Sequence, residues 1–337
     1  MRGNRHGRLA RPLYSPAGFD TELRGAVEEL RTGRWMAMRT LLTRTGGAWG
    51  LRTSRTQVLG VVAAGSHVVQ AWLREEPRDA DARLMQARVT VERAVRAHRD
   101  GHHSAAELEN EARQACYAAA ERLPADPVPW ICLLALARLD HRQERAEHRE
   151  RAAEPMLPPG PWGLLYRVYE RDRYNREAHH RMLHFLHARA AGPIASHASA
   201  IDFVRWVSSW APAGSELLAL PLYAYIEQFR RQLARNPDDL LLRQQWAHDP
   251  VALDTRTALH AWFEQTDPAG QSVMDLNHLA HALWAGDRPA DAARVFTALG
   301  PYFTQQPWSQ VGADPENPDS AKEEFSRARA QSFDAIS

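Results

Sequence analysis

Cysteine and lysine are nearly missing from this chain. Cys116 and Cys132 are the two cysteines among 337 residues. Two thiols cannot hold a four-thiolate metal centre or build a disulfide framework. Both fall in helical patterns among apolar neighbours, which predicts buried, reduced thiols. Lys322 is the single lysine, so 41 of the 42 basic residues are arginine. Guanidinium and ammonium are not interchangeable, but so lopsided a ratio reads as the codon bias of a GC-rich genome. Long hydrophobic runs are missing too. No stretch approaches the roughly 18 apolar residues of a membrane span. The longest, PVPWICLLALARL at 127–139, reads as a buried core helix. The N-terminus, MRGNRHGRLARPLYSP, is basic but lacks the apolar run of a signal peptide. These absences predict a cytoplasmic protein with no membrane partner. Runs of alternating β-branched residues are absent as well, which predicts essentially no sheet.

The signatures of several chemistries are also wanting. There is no G-x-S-x-G elbow and no cysteine in a reactive motif. Gly46-Gly47 is followed by AWGL, where a phosphate loop would carry Lys-Ser/Thr. The acidic pairs Glu28-Glu29 and Glu75-Glu76 lie near helix ends or on polar faces, where solvation or capping accounts for them. No catalytic residue and no cofactor is therefore assigned.

What is present is helix. Apolar residues make up 44% and charged residues 25% of the chain, ordinary for a soluble globular protein of one large or two smaller domains. Asp20 stands as an N-cap before TELRGAVEELRTG, with Leu23, Val27 and Leu30 on one face and Gly33 as a stop. RWMAMRTLLTRTGG follows at once, closing a helical hairpin. Further helices are predicted at 54–75 (hinged near Gly65), 80–98, 104–122 (capped by Ser104) and 128–139. Eight more follow at 162–173, 176–190, 198–210, 216–235, 238–247, 253–265, 272–285 and 289–299. The segment RQERAEHRERAAE (142–154) is polar all round, a solvated helix or a loose linker. The expected organisation is a disordered Arg-rich arm (1–18), an N-terminal helical layer (19–141), a polar helix or linker (142–163), a C-terminal helical-repeat layer (164–300), and a Pro/Asp-rich tail with a loosely held terminal helix (301–337).

Helix pairs of this length joined by short turns are the signature of α-solenoids. In LNHLAHALWAGDRPADAARVFTALG (276–300), Leu279 and Leu283 lie on a first helix and Gly286 makes the turn. Ala292 and Ala293 permit close approach, and Phe296 and Leu299 fill the next layer. This unit resembles a tetratricopeptide repeat, and 23–42 resembles it more loosely. The fold class expected is all-α, an irregular tetratricopeptide-like α-solenoid of antiparallel helix pairs. The stretch 173–230 is similar to bacterial helical proteins grouped as a domain of unknown function. The shared features are His179-His180 before MLHFL, Gly192, FVRWV (203–207) and the 211–220 segment APAGSELLAL. Those relatives carry a Trp-Gly pair where this chain has AAGP. That resemblance implies a fold and no activity.

The sharpest constellation is REAHHRMLHFLHAR (176–189). At 100° per residue, His180, His184 and His187 share an arc with Glu177 beside them. Imidazoles so spaced can share one metal, and a Glu-x-x-His step is what di-iron bundles use. A bundle site needs a second such helix, and the sequence has none. The apolar face (Met182, Leu183, Leu186, Ala190) points the other way, so the arc is expected on a solvated or partner-facing surface. His179 falls on the apolar face as a hydrogen-bonded core histidine. His102-His103 reads as a loop or cap, and His278 and His281 lack a third ligand nearby. Of eleven tryptophans, Trp35, Trp72, Trp130, Trp206, Trp262 and Trp284 fit apolar stripes. Trp162 and Trp308, flanked by proline, are the surface candidates for a peptide groove. Net charge is +1, which predicts no polyanion partner overall. Arg2, Arg5, Arg8 and Arg11 crowd one end and could attract nucleic acid. The leading expectation is a non-catalytic scaffold or adaptor that binds another protein, as a peptide or helix, on a concave surface. The alternatives are a helical metalloenzyme built on Glu177, His180, His184 and His187, and a nucleic-acid-binding regulator with a basic arm.

Overall fold

The computed structural model describes residues 11–236, 239–267, 270–311 and 317–336. It is all-helical apart from one two-residue strand pair among the described residues. No described helix is long and apolar enough to cross a membrane. The chain forms two compact units, residues 20–203 and residues 1–19 with 204–337. The segment 142–163 lies inside the first.

The 20–203 unit opens with α1 (Thr21–Arg31) and α2 (Met36–Thr45). The Asp20 carboxylate accepts from the Leu23 amide at 2.9 Å and Leu23, Ala26, Val27 and Leu30 are buried. Gly33 adopts a φ of 84° beyond the last turn, a backbone that favours glycine. There follow α3 (Trp49–Ala63), α4 (Val68–Glu75), α5 (Ala80–Arg99), α6 (Ala105–Arg122), α7 (Val128–Ala137), α8 (Trp162–Tyr169), α9 (Arg176–Ala188) and the start of α10 (Pro193–Trp210). Ser104 precedes α6 without a side-chain cap bond; its amide instead donates to His102 Nδ1 at 3.2 Å. α7 is buried on nearly every side, as its unbroken apolar sequence requires. Each helix from α1 to α8 packs on its successor, apart from α3 on α4, and α1, α3, α5, α7 and α9 also pack in succession. α3 and α9 meet as well.

The polar stretch 142–154 is neither a helix nor loose. A single 3-10 turn, Ala146–His148, buries His148 completely. Asp140 anchors it, accepting from the Glu144 and Arg145 amides at 2.8 and 3.0 Å and pairing with His148 Nδ1 at 2.8 Å. Charged side chains face outward while one histidine and one carboxylate hold the backbone. Residue-type periodicity does not register that arrangement.

In the other unit, β1 (Leu13–Tyr14) pairs in parallel with β2 (Tyr302–Phe303). The expected disordered arm is thus ordered from residue 11 to 18; residues 1–10, with Arg2, Arg5 and Arg8, lie outside the described residues. A 3-10 turn (Glu216–Ala219) leads into α11 (Leu220–Arg235), and another (Leu240–Ala247) leads to α12 (Val251–Thr257). α13 (Val273–Ala285), α14 (Pro289–Leu299), α15 (Trp308–Val311) and α16 (Pro318–Asp334) follow. Between α13 and α14, a Cβ on Gly286 would stand 2.8 Å from the Trp246 carbonyl oxygen. Glycine is required there by close approach. The terminal helix is not loosely held. Ala321, Phe325 and Ala328 of α16 are buried, and Phe325 meets Phe296, Phe303 and Trp308 with ring centroids 5.4–5.5 Å apart.

Candidate functional site

α9 begins on Asn175, whose side-chain oxygen accepts from the Ala178 amide at 3.1 Å and whose amide donates to Thr53 Oγ1 at 3.1 Å. This cap docks the helix start against α3 and carries Glu177 into the interior. Arg88 of α5 grips that carboxylate with two donors, Nη1 at 2.8 Å and Nη2 at 2.7 Å. Arg181, one turn on, adds Nη2 at 2.7 Å. Arg88 also donates to the Thr53 carbonyl and to Thr56 Oγ1. Burial by itself would raise the Glu177 carboxyl; the two guanidinium groups outweigh it and hold it down at about 2.

The expected solvated arc is corrected accordingly. Glu177 and His180 are buried, His187 is half-buried, and His184 is exposed. Along the helix the strip leaves the core at His184 and is half-covered again at His187. Glu177 spends its oxygens on arginine. Among the described residues no three His, Cys, Asp or Glu side chains gather closely enough to hold a metal ion. His179 is buried as its position on the apolar face predicts. Its Nδ1 lies 2.8 Å from the Asn175 carbonyl and its Nε2 lies 2.9 Å from the Tyr169 hydroxyl. A proton on Nδ1 and acceptance at Nε2 satisfy both, and burial pushes this imidazole down to about 4.

Trp162 and Trp308 are corrected too: both are fully buried. Trp162 Nε1 donates to the Pro158 carbonyl at 2.9 Å, and its ring packs 6.1 Å from Phe203. Trp308 Nε1 donates to Asn277 Oδ1 at 2.8 Å. Each indole belongs to the first residue of a helix, Trp162 of α8 and Trp308 of α15. Trp308, Trp246 and Trp284 surround His281 at 5.4, 4.8 and 6.1 Å. Burial, with the nearby His278, pushes His281 down to about 3. His278 stacks on Tyr223 at 3.6 Å, and the Tyr223 hydroxyl donates to Asp275 at 2.5 Å. The three-residue spacing of the two histidines was visible in the sequence; their partners come from distant segments.

Two further arginines are buried cross-ties. Arg52 donates to Asp126 at 2.6 Å and to Asp81. Arg55 donates to Asp20 and to Glu22, both at 2.7 Å, and to Thr45 Oγ1 at 2.7 Å. Sequence reasoning missed these, because nothing local distinguishes them from solvated arginines.

A surface cleft of about 390 Å³ in the 20–203 unit is lined by Trp49, Pro124, Ala125, Glu170 and Arg171. Arg171 Nε donates to the Pro124 carbonyl at 2.7 Å and Nη1 to the Arg167 carbonyl at 2.5 Å. Its guanidinium lies over Trp130 at 5.5 Å, and that of Arg167 at 5.7 Å. Tyr117 meets the same indole edge-on. Trp49 begins α3, Pro124 sits in the α6–α7 joint and Arg171 follows α8, so only folding assembles this wall. No family model, curated protein or solved structure matches the chain.

Proposed function

We propose that this chain is a non-catalytic adaptor that binds an extended segment of a partner protein. The observation that carries the reading is the cleft at Trp49 and Arg171. It combines a half-exposed indole, a proline ring and a pinned guanidinium. Rigid aromatic and arginine anchors of this kind dominate peptide and protein recognition. The succession of packing from α1 to α9 supports an irregular solenoid of helix pairs related to tetratricopeptide arrays, a scaffold that consumes its apolar faces internally and leaves a surface for a guest. The buried carboxylates of Glu177 and Asp126 and the imidazoles of His148 and His179 are engaged in structural bonds, which is what a scaffold asks of them.

Affinity purification from the native host, with mass spectrometry, tests this. The wild-type chain retains one or two stoichiometric proteins. Trp49→Ala and Arg171→Ala, each still helical by circular dichroism, lose them, weakening retention about 10–100-fold as hot-spot truncation does. His184→Ala, exposed on another helix, keeps them. Retention unchanged by both cleft substitutions, or no partner at any salt concentration, overturns the reading.

A further inference from the structure

Arg171 enters the cleft already fixed. Its Nε donates to the Pro124 carbonyl at 2.7 Å, its Nη1 to the Arg167 carbonyl at 2.5 Å, and its guanidinium lies over Trp130 at 5.5 Å. Nη1 also meets Glu170 Oε2 at 3.2 Å. Among the described residues nothing accepts from Nη2. A guanidinium held in this way loses little freedom when one more acceptor arrives. The Arg171 side chain is 16% exposed, whereas that of Glu170 is 58% exposed, so the cation is the fixed partner and the carboxylate the movable one. Glu170 Oε2 also lies 3.6 Å from Arg167 Nη1. Two arginines against one glutamate leave a single surplus positive charge. The Trp49 indole and the Pro124 ring supply the apolar part of the wall. At about 390 Å³ the cleft sits at the small end of ligand sites, with room for a few side chains of a segment and not for a folded partner.

We propose, on the reading of this cleft as a peptide-docking site, that it takes a side-chain carboxylate: an Asp or Glu of the partner's extended segment docks on Nη2 of Arg171, with a neighbouring proline or aromatic residue of that segment against Trp49 and Pro124. Charge complementarity selects the carboxylate. It carries one negative charge and cancels the surplus of one. A phosphate carries nearly two, and its excess would face Glu170. A chain-terminal carboxylate is characteristically held by a nest of backbone N–H groups; the donor here is an arginine side chain, which suits an acid within a segment. Glu170 sets the selectivity, because it repels a dianion and is exposed enough to give up its contact with Arg171 to an incoming carboxylate.

Random linear peptides displayed on phage are selected on the full-length chain and counter-selected on Trp49→Ala. The expected peptides carry Asp or Glu beside a proline or an aromatic residue. One of them, made synthetically, is then titrated by fluorescence anisotropy. Replacing its acid by the matching amide weakens binding about 10–100-fold, as loss of a charged hydrogen bond does. Arg171→Gln weakens binding of the parent peptide equally and of the amide peptide no further. Glu170→Gln tightens the parent about fivefold, the factor for one unit charge about 4 Å away in water. Phosphoserine in the acid's place binds the wild-type chain more weakly than the acid does. Trp49-dependent peptides that lack an acid, an amide peptide that binds as well as its parent, or a tighter phosphoserine peptide would each overturn the carboxylate assignment while leaving the adaptor reading standing. No Trp49-dependent peptide at all removes both. If Arg171→Gln fails to fold, the change from acid to amide in the peptide still decides.

Discussion

Arginine is so abundant here that composition assigns it no particular task, yet a few guanidinium groups are structural cross-links. Arg88 reaches from α5 to the Glu177 carboxylate of α9 and to two α3 positions, Thr53 and Thr56. A lysine would offer neither the two parallel donors nor the spare ones. Burying such a pair costs desolvation, so the pair is not itself a large source of stability; breaking it is expensive because one charge is left alone. Glu177→Gln is therefore expected to destabilise the protein by about 3–5 kcal/mol in denaturant unfolding. Converting Glu177 to Gln and Arg88 to Met together recovers much of that loss. Additive losses would show that the two side chains do not act as a pair. The sequence did place Glu177 and His180 on one strip of α9. It could not reveal that a residue 89 positions earlier closes over that strip.

The elements were legible wherever a short stretch of chain decides them. Asp20 caps α1 and Gly33 ends it, and the apolar run 128–137 becomes the buried α7. What sequence could not convey is how closely two elements approach. Gly60 of α3 is an instance: an added Cβ would stand 2.9 Å from the Arg88 Cβ, and neither atom can swing aside. Gly60→Ala is expected to cost about 1–3 kcal/mol by overpacking, although alanine is the better helix former. Gly25 in α1 is the control, with nothing within 4 Å of the added carbon. Gly25→Ala is expected to stabilise by up to about 1 kcal/mol. Thermal or denaturant melts of the two variants separate the effects, and a matching sign in both would contradict the close α3–α5 contact. The same limit explains α16. Its polar composition reads as a loose terminal helix, but Phe325 meets aromatic rings from α14, β2 and α15.

For the molecule as a whole, buried histidines set the response to acid. His179 in one unit is held down at about 4 and His281 in the other at about 3, against an ordinary value of 6.5. Above that ordinary value both imidazoles are neutral whether the chain is folded or not, and neither affects stability. Below it the unfolded chain takes up protons that the folded chain refuses, so stability falls as the pH drops from 6.5 towards 4. Each histidine contributes a slope of about 1.4 kcal/mol per pH unit there. Glu177 adds its own loss only as the pH falls from 4.5 towards about 2. Denaturant midpoints measured through this range should fall well before the carboxylates titrate, and His281→Leu should remove its share. A flat profile down to 4.5 would rule out burial of neutral imidazole. The sequence by itself determined the helical class, the positions of most helices and the apolar α7, because periodicity, caps and breakers act over a few neighbouring residues. Only the tertiary structure decided that Trp162 and Trp308 face inward, that Glu177 meets Arg88, and that Trp49 and Arg171 share a cleft. Those outcomes rest on groups far apart in the chain, where the cost of leaving a charge or an indole unsatisfied is settled by partners no local pattern contains.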